Sequence, residues 1–198
     1  VPCLNQAFSN SNFDWNGPKK PVVCACEADM GAAMTMRLLQ GVSGQPALFM
    51  DFRDYDEKRD EYIFCNCGSQ SVCYAKNMKD IHLVHTDKYY PSGGVHVQYV
   101  CREGEVTVAR LCEDADGEWM AIIPGRFRYY DRERCKETSP LWPHAYLEAD
   151  IDPDALLQVY GSNHGHAVYG NWVKELTHLG RMLGFRTKVF GCDRACSL

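Results

Sequence analysis

The run from Tyr62 to Tyr130 constrains the fold most tightly. It reads YIFCNC, a turn at Gly68 and Ser69, then IHLVHT (81–86), GVHVQYV (94–100), EVTVARL (105–111), EWMAIIP (118–124) and RFRYY (126–130). Val95, Val97 and Tyr99 alternate with His96 and Gln98, and Val106 and Val108 alternate with Thr107 and Ala109. Successive strand residues point to opposite faces, so this alternation predicts half-buried strands. The turns EGE around Gly104 and DADG around Gly117 stand at hairpin spacing. Regular short strands with tight turns predict an antiparallel barrel or sandwich.

The segments on either side follow another pattern. PVVCAC (21–26) reads as a strand ending at Glu27. Met30, Met34 and Leu38 share one helical face in a segment that stops at Gly41 and Gly44, and ALFM (47–50) reads as a second strand ending at Asp51. In a β-α-β unit, neighbouring parallel strands bring their carboxyl ends to one rim, which would place Glu27 beside Asp51. Residues 1–20 read as a loop in which Phe13 and Trp15 pack down, and 51–61 as a solvated, charged connection. Toward the end of the chain a strand is expected at 145–149. A helix follows, capped by Asp152 with Pro153 at its first position and ending near Gly161. SNHGHAVYGNW reads as a loop leading to a helix over about 171–183, where Trp172, Leu176, Leu179 and Leu183 recur, with Gly184 as cap and TKVF as a last strand. The expected class is α+β: the tail of an α/β domain over 1–55, then an antiparallel β-barrel domain with C-terminal helices over 56–198.

Bulk properties narrow the function. A formal charge of −5 without a basic stripe argues against nucleic-acid or anionic-membrane partners. No apolar run approaches the roughly 20 residues that span a bilayer. The chain opens on Val1 with no secretory leader, which suggests a processed protein or an excised piece. Its eleven cysteines are odd in number, spaced as CxC (Cys24 and Cys26; Cys65 and Cys67) and CxxxC (Cys192 and Cys196), and include no pair of CxxC knuckles. They read as reduced, buried thiols of a cytoplasmic protein, with a zinc site as the minor alternative.

Glu27, Asp51 and His164 form a hypothetical set of two carboxylates and one imidazole. Hard oxygen donors with one imidazole favour Mn²⁺, Mg²⁺ or a similar divalent cation over a thiophilic metal. His164 lies between Asn163 and Gly165, where a ligand can approach the backbone, and His166 is its rival. From spacing alone, ordinary surface carboxylates are the simpler account.

Several motifs, in order along the chain, add a resemblance. They are SNFDWNG (11–17), the ExD of Glu27 and Asp29 ahead of GAAMTM, and the SGxPxLFxDxRxY run through Asp51, Arg53 and Tyr55. After these come NCGS (66–69), WP at Trp142 and Pro143, and SNHG (162–165). Together they resemble the C-terminal third of the L-fucose isomerase family, whose fold is shared with L-arabinose isomerase. The resemblance implies a cytoplasmic sugar ketol-isomerase in which Glu27, Asp51 and His164 hold Mn²⁺ or another divalent cation. It also implies that Glu27 and Asp51 carry the proton between sugar carbons, and that Ser69, Trp142 and Asn163 line the pocket for an aldose or ketose. A homo-oligomer, a hexamer or a trimer-like assembly, is implied as well, with a neighbour closing the sugar site, so that this segment alone would be inactive. PSGGVHV (91–97) departs from the family's glycine-rich, aromatic segment. The alternative is a carbohydrate-binding or assembly module that keeps the fold without turnover.

Overall fold

Alternation along the strands sorts their side chains into two hydrophobic cores, one on each face of a large mixed sheet. The computed structural model describes residues 2–85 and 94–191. Thr86, residues 91–93 of the glycine-rich segment, Cys192 and Cys196 lie outside the described residues. Helices are α1 Pro2–Ser9, α2 Met30–Ser43, α3 Pro153–Tyr160 and α4 Val173–Leu183. Strands are β1 Phe13–Asp14, β2 Gly17–Pro18, β3 Leu48–Asp56, β4 Glu61–Cys65, β5 His82–His85, β6 Val95–Gln98, β7 Gly104–Asp114, β8 Gly117–Arg128, β9 His144–Glu148, β10 His164–Tyr169 and β11 Arg186–Val189.

The main sheet has seven strands in the order β11-β8-β7-β10-β3-β4-β9, and β9 also pairs with β8. All of these pairings are antiparallel except that of β11 with β8. Two expected strands, 118–124 and 126–130, are one strand, β8. Trp119 to Ile122 pair with β11 and Arg126 to Arg128 with β9, so the outer partner changes around Pro124 and Gly125. Proline lacks the N–H that a ladder uses and is tolerated at such a break. A Cβ on Gly125 would stand 2.6 Å from the Glu148 carbonyl oxygen, so only glycine lets β9 approach there.

Leu48, Met50, Val106, Val108, Ala121, Ile123 and Ala167 belong to one core. Phe49, Ala109, Leu111, Met120, Ile122 and Val168 face the other way, beneath α2 and α4. Helix α2 begins at an Asp29 cap, whose side chain accepts the Ala32 amide, and ends at Gly44 in the left-handed region. Its buried stripe is Ala32, Thr35, Met36, Leu39 and Gln40, whereas Met30 and Met34 are 71% and 45% exposed. The face chosen from the methionines is therefore the wrong one. The sheet accepts the small residues Ala32 and Thr35, and Thr35 Oγ1 also accepts the Leu111 amide at 2.9 Å.

Other expectations need correction. Residues 21–26 form no strand, so the β-α-β unit does not exist, and β3 has antiparallel neighbours on both sides. Positions 51–56 continue β3 rather than starting a loop, because Phe52 and Tyr55 pack on Phe64 and Tyr62 at ring separations of 4.1 and 5.0 Å. The strand continues past position 55 in the main sheet, with a bulge between Phe52 and Asp54. The N-terminal stretch contains α1 and the β1–β2 hairpin; Phe13 packs on the core, but Trp15 is 71% exposed, edge-on to Phe8. The histidine segment 164–169 is a strand at the middle of the sheet. Its glycines and histidines disguised a period-two pattern. α3, α4, β9 and β11 form near their expected places.

Beside β4, Arg134 is buried against two acids: it contacts Glu61 and lies 2.8 Å from Asp56, with its guanidinium 4.0 Å above the Tyr130 ring. Burial raises Glu61 despite help from Tyr130 and Arg134. Arg134→Met is expected to cost about 3–5 kcal/mol in urea unfolding by stranding Glu61, and adding Glu61→Gln should recover part of that loss. His144 is buried between the Trp142 carbonyl and Thr138 Oγ1, at 2.8 and 2.7 Å, and burial pushes its imidazole down to about 4. The unfolded chain then takes up this proton first, so stability is fully present above about pH 6.5 and declines as pH falls toward 4. Denaturation at stepped pH should show this slope, and His144→Gln should flatten it.

Candidate functional site

The site forms on the face of the sheet that α2 covers. Along β3, Asp51 lies on the same side as Phe49; along β10, His164 lies on the same side as Val168. Register sets His164 directly opposite Asp51, Asp51 opposite Cys65 and Cys65 opposite His144. A row of polar and thiol side chains therefore crosses neighbouring strands at one level.

The third member of the set, its second acid, arrives from outside the sheet. Glu27 and Ala28 both adopt left-handed backbone, with φ of 59° and 58°. Each costs on the order of 1 kcal/mol for a non-glycine residue and persists only where its surroundings enforce it. Enforcement comes from the next residue: the Asp29 amide donates to the Cys26 carbonyl at 3.1 Å, and its carboxylate caps α2 through the Ala32 amide at 2.8 Å. The resulting reversal leaves the largely exposed Glu27 carboxylate 3.6 Å from His164 Nε2.

Asp29 also fixes the imidazole. Its Oδ2 lies 2.6 Å from His164 Nδ1 and 2.8 Å from Arg110 Nη1. Burial would raise this carboxyl, but Arg110, His164 and the Ala32 amide hold it well below the usual carboxylate range. An ionised acid at Nδ1 places the proton there and leaves the Nε2 lone pair facing the other acids. Burial pushes the His164 pKa down, but Asp51 and Asp29 outweigh it and the pKa is raised.

Asp51 is held from its other side. Asn66 Nδ2 donates to Asp51 Oδ2 at 3.1 Å, and Asn66 Oδ1 accepts the Ser69 hydroxyl at 2.6 Å and the Ser69 amide at 3.1 Å. Ser69 is thus buried behind Asp51, joined to it through Asn66. The Asn163 carbonyl accepts the Phe52 amide at 2.7 Å, and its exposed side chain lies at a cavity of about 530 Å³ that Phe52, Arg53 and Tyr160 also line. Half-buried Trp142 belongs to a separate turn ahead of β9, with its amide on the Ser139 carbonyl at 3.0 Å. His166, the rival histidine, is wholly enclosed and pushed down to about 3 by burial, so it is neutral.

Asp51 Oδ1 and His164 Nε2 are buried without a hydrogen-bond partner, although they face each other at 3.1 Å. A carboxylate oxygen and an imidazole nitrogen that have only each other suit a cation once the imidazole is deprotonated. With Glu27 set back, however, no group of three or more His, Cys, Asp or Glu side chains among the described residues already stands arranged around an ion.

Asp29, Asn66 and Arg110 were not singled out as site residues from the sequence. Asp29 carried a signal, an N-cap ahead of a helix, and Arg110 is a lone charge in the apolar run VTVARL.

The chain is thus a sheet-built α/β protein whose polar centre is an acid–imidazole cluster backed by a helix N-terminus. Residues 64–190 match the L-fucose isomerase C-terminal domain family, and the chain belongs to that family. It is 25% identical over 171 residues to sulfoquinovose isomerase of Priestia aryabhattai and 26% identical over 178 residues to that of Clostridium sp. (strain MSTE9). Each of these matches covers 85% of this chain, and the chain spans about 37% of the relatives' length. L-fucose isomerase of Vibrio vulnificus is 38% identical over 52 residues, covering 26% of this chain and 9% of that protein.

The bare-nitrogen assignment can be measured. In metal-free protein above the His164 pKa, nitrogen NMR should show a protonated Nδ1 and an unprotonated Nε2. Asp29→Asn should mix the tautomers while keeping the α2 cap, because asparagine caps as well as aspartate.

Proposed function

We propose that the chain carries the acid–imidazole centre of an aldose–ketose isomerase, with Glu27, Asp51 and His164 as the residues that hold Mn²⁺ or a similar divalent cation. The observation that carries this reading is the pair of buried, unpartnered atoms, Asp51 Oδ1 and His164 Nε2, oriented from behind by Asn66 and Asp29. Hard oxygen donors with one oriented imidazole fit such a cation. When bound, the cation supplies Lewis acidity toward neighbouring sugar oxygens, which acidifies the adjoining C–H.

Within this reading the two acids differ in freedom. Asp51 is fixed by Asn66 and suits a constant ligand. Glu27 is exposed on a strained turn and suits moving a proton between neighbouring carbons. Asn163 and Trp142 are read as sugar contacts, while Ser69 acts through Asn66 on Asp51.

The relatives' names give two sugars, sulfoquinovose and L-fucose, and the reading is of their shared reaction class. The ring of pairings β7-β10-β3-β4-β9-β8 is read as a closed barrel that fixes the register of the two sheet-borne ligands. We place the assembled enzyme in the cytoplasm as a homo-oligomer in which a neighbouring subunit closes the sugar site. Among the described residues no helix is long and apolar enough to cross a membrane.

In the full-length protein, Glu27→Gln, Asp51→Asn and His164→Ala are each expected to lower Mn²⁺-dependent isomerisation by at least 1,000-fold, about 4 kcal/mol in the barrier. A chelator should abolish turnover, and added Mn²⁺ should restore it. Full activity in any one variant removes that residue from the site. Sugar binding without ketose formation would favour a non-catalytic carbohydrate-binding module.

A further inference from the structure

Arg110 is a cation in the otherwise apolar middle of β7, where Val106, Val108, Ala109 and Leu111 are all buried. Its guanidinium reaches the first turn of α2. Nη1 lies 2.8 Å from Asp29 Oδ2, and the two side chains are only 12% and 15% exposed. Among the described residues, Asp29 is the acid with which it pairs. A Cβ added to Gly31 would stand 3.2 Å from Arg110 Nη2 and 3.4 Å from Cζ, close enough to press the guanidinium aside by a few tenths of an ångström. Glycine is a poor helix former, and at this position its missing side chain leaves a slot for the guanidinium.

The next residue of β7 docks on the same turn. The Leu111 amide donates to Thr35 Oγ1 at 2.9 Å, and the Thr35 hydroxyl donates to the Gly31 carbonyl at 2.7 Å. Arg110 and Leu111 thus fasten α2 to β7, one through its side chain and the other through its backbone. Sliding of α2 along the sheet would break these bonds, so the guanidinium keeps its place beside Asp29.

Asp29 needs that neighbour. Its Oδ1 accepts the Ala32 amide, which fixes one oxygen of the carboxylate and leaves the group free to pivot about that bond. The other oxygen, Oδ2, is the one 2.6 Å from His164 Nδ1. Arg110 holds that same oxygen, and two fixed oxygens define the plane of the carboxylate. A rigid, planar guanidinium suits this task better than the rotatable ammonium of lysine.

We propose that Arg110, seated in the slot at Gly31, is the positioning residue that aims Asp29 at His164 and so keeps Nε2 directed at Asp51. It acts through Asp29 and is not itself a ligand of the cation or the sugar. Its effect on metal binding rests on the isomerase reading; its effect on the imidazole does not.

The test is a double-mutant cycle in the full-length protein, with Arg110→Met, Gly31→Ala and the two combined. Two quantities are read: Mn²⁺ affinity, and the nitrogen NMR of His164 in metal-free protein at a pH where the imidazole is neutral. Arg110→Met should weaken Mn²⁺ binding by about 10- to 100-fold and mix tautomers that the wild type keeps as Nδ1–H, and Arg110→Lys should recover part of both. Gly31→Ala should weaken binding by a smaller factor, about fivefold, although alanine is the better helix former. Once Arg110 is replaced by methionine, Gly31→Ala should have no further effect. Arg110→Lys and Gly31→Ala both keep the cation and carry the test if Arg110→Met does not fold. A pure Nδ1–H tautomer in every folded variant would overturn the proposal, as would additive effects of Gly31→Ala and Arg110→Met. Mixed tautomers with unchanged Mn²⁺ affinity would overturn the link to the metal. If the wild type binds no Mn²⁺, the isomerase reading fails, and the tautomers still decide whether Arg110 aims Asp29.

Discussion

The Asp29 carboxylate joins three parts of the molecule that would otherwise be independent. One oxygen caps α2; the other lies between Arg110 of β7 and His164 of β10. A single ionised side chain therefore fixes where the helix begins, how it sits on the sheet and which nitrogen of the imidazole is bare. Helix N-termini favour negative charge, and the Arg110 pair is only slightly exposed, so these interactions reinforce one another. The strained backbone at Glu27 and Ala28 follows from the same anchor. The chain must turn back sharply to deliver Asp29 to the cap, and Glu27 is carried toward His164 in doing so.

The sheet contributes the other half. Its two cores draw on alternating positions of β3, β7, β8 and β10, so a slip of one residue in any of these strands would exchange side chains between them. Asp51 and His164 inherit that rigidity. They stand opposite each other because Leu48, Met50 and Ala167 must face one core while Phe49 and Val168 face the other. The site's geometry is thus a by-product of hydrophobic sorting, with polar groups added where the helix-covered face reaches the helix N-terminus.

The legible parts of the sequence were those where local chemistry decides. The alternation in 94–100 and 105–111 gave strands, and Asp152 with Pro153 gave a helix start, because backbone capping and pleat period act over a few residues. The PVVCAC segment misled because a short apolar run is equally consistent with an irregular segment packed under a helix; Val23, Ala25 and Cys26 pack against the helix-covered core without pairing. β10 was hidden because glycine and histidine depress strand propensity, while the burial that makes it a central strand comes from β3 and β7, remote in sequence. The residues Glu27, Asp51 and His164 meet, but for a different reason than expected: not parallel strand ends at a shared rim, but an antiparallel register and a left-handed turn. Asn66 and Arg110 could not be found locally, since their roles depend on partners 15 and 81 residues away (66 − 51; 110 − 29).

With His164 neutral, its Nε2 and the Asp51 oxygen face each other as two buried acceptors, an arrangement that costs on the order of 1–3 kcal/mol and that a free cluster would relax to avoid. This one cannot relax far. Moving Asp51 away from His164 would break the Asn66 bond or the β3–β10 register, and rotating His164 would give up Asp29. The apolar cores hold these groups in opposition while Glu27, outside the sheet, remains free to approach. On the isomerase reading proposed above, the donors fixed on the strands would hold a cation and the exposed acid on the turn would carry the proton past it.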